Sequence, residues 1–152
     1  MKLAEALVLR ADLQKRVEQL RERLQQNALV QEGEQPAENP QELLAELERL
    51  IMELTGIIRR INRTNVSAQT GAGMTLTDAL ARRDTLTLQY SIINSLADTA
   101  AQRVSRYRPT EIRSIATVDV AALRRSLDTL AQQRRELETA IQAANWTIDL
   151  VE

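Results

Sequence analysis

The chain predicts an all-α protein of four long amphipathic helices, forming an antiparallel bundle or two helical hairpins, that assembles as a homo-oligomer. Three observations carry this. Apolar residues recur at alternating three- and four-residue spacing over long stretches. Gly (4) and Pro (3) are too few for the turns of a sandwich or barrel. With no Phe, one Trp and two Tyr, the core falls to Leu, Ile, Val and Ala, the residues that fill helix seams. At 152 residues and 43% hydrophobic content, a single helical domain over residues 1–152 is expected, with apolar surface left for a partner.

The first helix is expected over about 3–30, its seam Leu3, Ala6, Leu13, Val17, Leu20 and Leu24 interrupted by Arg10. A solvated connector follows, QEGEQPAEN, with Gly33 and Pro36. Asn39, Pro40 and Glu42 then supply an N-cap, a first-turn proline and an early acid, opening a second helix over about 40–66. Its seam is Leu43, Leu47, Leu50, Leu54, Ile57 and Ile61. A flanking row of Leu44, Ile51 and Ile58 widens the stripe beyond the need of a two-stranded coiled coil.

The segment SAQTGAGMT is a turn, and Thr75 with Asp78 repeats the capping logic to open a third helix over about 76–104. Arg83 interrupts its seam of Ala79, Leu86, Tyr90, Ile93, Ala97 and Ala100. Residues 105–118, with Pro109, read as a loop or one short extended piece. Asp119 caps a fourth helix over about 120–145, whose seam Leu123, Leu127, Leu130, Leu137 and Ile141 is interrupted at Arg134. Short connections favour antiparallel neighbours.

Two internal matches suggest a duplicated hairpin with pseudo-two-fold symmetry. EALVLRADL from Glu5 aligns with DALARRDTL from Asp78, pairing Ala6 with Ala79, Arg10 with Arg83 and Leu13 with Leu86. LERLIMELTGIIRRIN aligns with the stretch from Leu127, pairing Leu50 with Leu130, Ile61 with Ile141 and Asn65 with Asn145.

Cys and His are both absent, which removes thiolate nucleophiles, disulfides, imidazole bases and the usual zinc ligands. No cofactor, metal or catalytic activity is expected. A net charge of −1 gives no field to gather a polyanion, so nucleic acid is not an expected partner. Glu5 and Asp12 interrupt the apolar N-terminal stretch, which does not resemble an export signal, and no run of about 18 apolar residues predicts stable membrane insertion. A cytoplasmic address is the expectation.

Four groups of residues are candidates for function. Arg10, Arg83 and Arg134 stand in seam positions, where a guanidinium needs a carboxylate such as Asp12, Asp84 or Asp128, or else holds an anion between helices. The first role fixes register and partner number; the second makes a ligand pocket. Arg103, Arg106, Arg108 and Arg113 surround Tyr107 as a basic cluster, suited to a solvated helix end or to phosphate. Trp146 is an expected interface anchor. Asn62, Asn65 and Asn145 fit helix ends, and their N-x-Ser/Thr patterns matter only in a secreted chain.

The blocks KLAEALVLRADLQKR, PQELLAEL, INRTN, LTDALARRD, TVDV and ANWTIDL resemble the septicolysin-labelled family of small bacterial helical proteins, over nearly the whole chain. That resemblance implies a helical fold and, by its label, a cytolysin; it carries no catalytic residues across. The residues themselves favour a structural or interaction protein that self-assembles by helix packing. The alternatives are a ligand- or anion-binding bundle using the seam arginines, and a membrane-active cytolysin.

Overall fold

The computed structural model describes residues 1–102, 112 and 114–152, and in them four helices: α1 (Leu3–Gln26), α2 (Pro40–Ser67), α3 (Leu76–Ala101) and α4 (Val120–Thr147). The start of each helix follows from its capping residue. The Lys2 N–H donates to Glu5 Oε2 at 2.7 Å ahead of α1, and Asn39 Oδ1 accepts from the Gln41 N–H at 3.0 Å ahead of α2. Thr75 Oγ1 accepts from the Asp78 N–H at 3.1 Å, and Asp119 Oδ1 from the Ala122 N–H at 3.0 Å. Each satisfies a donor that has no partner within its own helix.

α1 ends four residues before the expected 30, and the reason is local. Buried Asn27 returns its side-chain amide to the Arg23 carbonyl at 2.8 Å and accepts the Glu38 N–H at 2.9 Å. The side chain thereby satisfies a terminal carbonyl and turns the chain into the connector. Most of residues 105–118, read from the sequence as irregular, lies outside the described residues.

The chain divides into two compact units. The first comprises residues 1–69 and 143–152, where α1 and α2 pack on one another with Leu3, Ala6, Leu13 and Leu20 of α1 and Leu43, Leu50, Ile57 and Ile61 of α2 buried. Arg23 near the end of α1 reaches Glu46 near the start of α2 at 3.9 Å, so the helices run antiparallel. The C-terminal residues form a strap across the other end. The Leu3 N–H donates to the Ile148 carbonyl at 3.0 Å, the Leu150 N–H to the Met1 carbonyl at 2.9 Å, and the Val151 N–H to Thr64 Oγ1 at 3.0 Å.

The second unit comprises residues 70–142, and there α3 and α4 are antiparallel. Asp98 meets Arg124 at 3.0 Å, the Arg134 guanidinium lies 5.8 Å from the centre of the Tyr90 ring, and Arg83 approaches Glu138 at 3.7 Å. Leu76, Ala79, Leu86 and Ala97 are buried on α3, as are Leu127, Leu130 and Ile141 on α4.

The two units share one internal plan. The sequence matches move α1 on by 73 positions (Glu5 to Asp78) and α2 by 80 (Leu47 to Leu127). Moved so, the α1–α2 pair Arg23/Glu46 falls at 96 and 126, in the same antiparallel register as the observed pair Asp98/Arg124. The N-caps Lys2 and Thr75 are related by the first shift and Asn39 and Asp119 by the second. α2 and α4 both have 28 residues, with both ends shifted alike. The Thr70 N–H donates to the Met74 carbonyl at 2.8 Å, the counterpart of Leu150 to Met1 under the same two shifts. Caps, the length of the second helix and the closing hydrogen bonds are independent of the heptad pattern that makes any two helices look alike, so these features recur in both hairpins at the offsets of the sequence matches.

Candidate functional site

The three seam arginines have three different environments. Arg83 donates through Nε and Nη2 to Asp84 Oδ1, both at 3.2 Å, and approaches Glu138 across the hairpin. Arg134 is exposed and lies over Tyr90, a cation–π contact that draws it out of the seam. Arg10 is half-buried, and its Nε is shut away from solvent without a hydrogen-bond partner. Glu138 approaches Arg83, and under the sequence matches the position corresponding to Glu138 is Ile58, so the first hairpin offers no carboxylate there for Arg10. Asp12 is exposed on the turn after Arg10. The arginines are thus spread over both units, and only Arg83 with Asp84 forms a pair foreseen from the sequence.

Arg103, Arg106, Arg108 and Arg113 lie outside the described residues. Trp146 is 64% exposed, so among the described residues none encloses its ring. Among the described residues, no group of three or more metal-ligating side chains is placed to hold an ion.

A polar cluster that the sequence did not single out closes the α1–α2 connector. Arg23 Nε donates to Glu38 Oε2 at 3.0 Å and Nη2 to Glu38 Oε1, a two-pronged pair, with Glu46 beyond. The hydrogen bonds from Arg23 hold the Glu38 carboxyl below the usual range, with partial desolvation opposing and the guanidinium charge adding to the effect. At the strap, Lys2 Nζ donates to the Thr147 carbonyl at 2.9 Å and meets Asp149 at 2.8 Å, and that bond and charge likewise lower the Asp149 pKa. Local sequence shows the acids and bases but not these pairs, because Lys2 and Asp149 meet only after the chain closes.

In the second unit, Met74, Leu86, Leu137 and Ala140 line a groove of about 300 Å³ whose polar groups are Thr70, Arg82, Gln133 and Glu136. Arg82, Gln133 and Glu136 are exposed, and buried Thr70 gives both its N–H and its hydroxyl to the Met74 carbonyl, so its donors are already committed within the turn. Helix outer faces are more distinctive. Leu44, Ile51, Met52 and Val66 are exposed on α2, and Leu88, Ile92 and Leu96 on α3. No helix among the described residues is long and apolar enough to cross a membrane.

Residues 10–150 match the model of a family of unknown function, DUF6847. The fold is similar to the crystal structure of a functionally unknown conserved protein from Corynebacterium diphtheriae, at 44% identity over 99% of each chain and a TM-score of 0.90. Among curated proteins none matches the chain.

Proposed function

This chain belongs to DUF6847, a family of unknown function, and on that premise we propose that it is an interaction protein whose activity is self-association through helix packing. The observation that carries the reading is the exposure of large aliphatic side chains in rows on the outer faces of α2 and α3. Exposed aliphatic side chains spaced along a helix face favour a protein partner, and three of the four polar groups of the groove are exposed to solvent. Sedimentation velocity from low-micromolar to submillimolar concentration tests it. The expected result is a weight-average mass that rises above one chain; a strict monomer throughout overturns it. The resemblance to septicolysin-labelled proteins adds a membrane-lytic reading, checked on the same material by dye release from anionic vesicles.

Arg10 supports a second reading, the capture of a small anion. Its buried Nε is a donor without an acceptor, and such a group is costly unless something fills it. Phosphate titration followed by the Arg10 Nε–H NMR signal tests this: a saturable shift is expected, and a signal that phosphate does not move overturns the reading.

A further inference from the structure

We propose that the outer face of α3 is a two-fold seam, on which a second copy of this chain packs its own α3 antiparallel, centred on Ile92. The proposal rests on the self-association argued above and specifies the surface and register that carry it.

The helix spacing is the first argument. At about 100° per residue, Thr85, Leu88, Ile92, Leu96 and Thr99 fall within an arc of about 80°, on the side of α3 away from buried Leu86 and Ala97. The steps between them are three, four, four and three, so the row reads the same in both directions about Ile92. A two-fold axis through Ile92 sets Leu88 of one copy on Leu96 of the other, and Thr85 on Thr99. Such self-complementarity is what an isologous interface requires. The three aliphatic residues are 61%, 59% and 43% exposed.

Charge selects the occupant and its direction. From Thr85 to Ala97 there is no charged side chain, and Asp84 and Asp98 flank the row. A parallel partner would set Asp84 beside Asp84 and Asp98 beside Asp98. The antiparallel partner sets Asp84 against Ala100 and Asp98 against Leu86, with no like charges opposed.

The duplication supplies an internal control. The corresponding row on α1 is Asp12, Lys15, Gln19, Arg23 and Gln26, and there Arg23 is engaged by Glu38. At the Leu96 position the connector contributes Ile115 and Val118 to the same crevice instead. The outer row is therefore polar in one hairpin and aliphatic in the other, and at Leu88 and Ile92, which lie outside that crevice, the fold itself does not require the aliphatic version. A row about 21 Å long covers less than the roughly 800 Å² per partner of a standard interface. The dimer is therefore a small, weakly held one.

Single-cysteine cross-linking tests the register, because the chain has no Cys of its own. With helix axes about 8–10 Å apart and Cα atoms about 2.3 Å from each axis, two copies of residue 92 come within about 6 Å, the span of a disulfide. Mild oxidation is expected to link Ile92→Cys into a covalent dimer and to leave Gln19→Cys, its α1 counterpart, unlinked. Leu88→Cys and Leu96→Cys are expected to link when mixed and not alone, since copies of one of these positions lie about 12 Å apart along the axis. Ile92→Glu should raise the dimer dissociation constant at least tenfold while leaving helix content by circular dichroism unchanged. If Ile92→Cys links no better than Gln19→Cys while the wild type still associates, the seam is overturned and self-association stands. A wild type that is monomeric at every concentration overturns both.

Discussion

Thr64 shows how a single side chain holds this fold closed. Fully buried, it donates its hydroxyl to the Arg60 carbonyl at 2.8 Å and accepts the Val151 N–H at 3.0 Å, so it belongs at once to α2 and to the strap. Thr64→Val keeps the shape and removes both bonds, leaving the Val151 N–H unsatisfied. The expected cost is about 1–3 kcal/mol by urea denaturation, with faster amide exchange at Val151; unchanged exchange there would show that the hydroxyl does not hold the strap. Asp149 acts at the same strap through charge. Its pKa is depressed by the Lys2 hydrogen bond and charge, so its contribution is fully present above the ordinary carboxylate range, near about 4. That contribution is lost as pH falls through the depressed folded value. Asp149→Asn should therefore lower the unfolding midpoint at neutral pH and have no effect once both forms are protonated in strong acid. A deficit that is independent of pH would assign the loss to packing.

The helices themselves follow from short-range physics, and this is why they were legible in the sequence. Asn39 with Pro40, Thr75 with Asp78, and Asp119 each act within three residues, and all three helix starts fall where those residues predict. Asp119→Ala should cost about 1 kcal/mol, measured by thermal unfolding, and Asp119→Asn should restore most of it. Deeper in the seams, Leu13 and its counterpart Leu86 are both buried. Leu13→Ala and Leu86→Ala should each cost about 2–5 kcal/mol by urea denaturation. The end of α1 was less legible because Asn27 acts through Glu38, on the far side of the connector. The environments of the seam arginines were hidden for the same reason. Arg10, Arg83 and Arg134 occupy equivalent-looking sequence positions, and what separates them is what the facing helix supplies: Glu138 to Arg83, Tyr90 to Arg134, and no acceptor to Arg10 Nε. The outer row of α3 had a local signal, the charge-free run from Thr85 to Ala97. A search for core seams passes over it, because residues pointing away from a core do not extend the seam.

At the scale of the molecule, the recurring plan of the two hairpins extends to the hydrogen bonds that close them. The Thr70 N–H reaches the Met74 carbonyl around Gly71, Ala72 and Gly73, and the Leu150 N–H reaches the Met1 carbonyl in the same manner. The residues beyond Leu150 are Val151 and Glu152, which correspond to Gly71 and Ala72. Only the counterpart of Gly73 is missing, and Gly73 has φ of 77°, a left-handed conformation that glycine adopts without penalty. A single Gly joining Glu152 to Met1 should therefore rebuild the three-residue turn, and the chain can then be opened between Gly71 and Ala72. We expect this circular permutant to fold with the circular dichroism spectrum of the parent and an unfolding midpoint within a few degrees of it, because the Thr70–Met74 hydrogen bond can persist across an open turn as the Leu150–Met1 bond does in the parent. The control is the same permutant with Val in place of the joining Gly, which forces a β-branched residue to positive φ and should be measurably less stable. Equal stability of the two permutants would mean that the junction does not copy the Gly73 turn. A permutant that fails to fold would show that the 70–74 turn does more than close a hairpin.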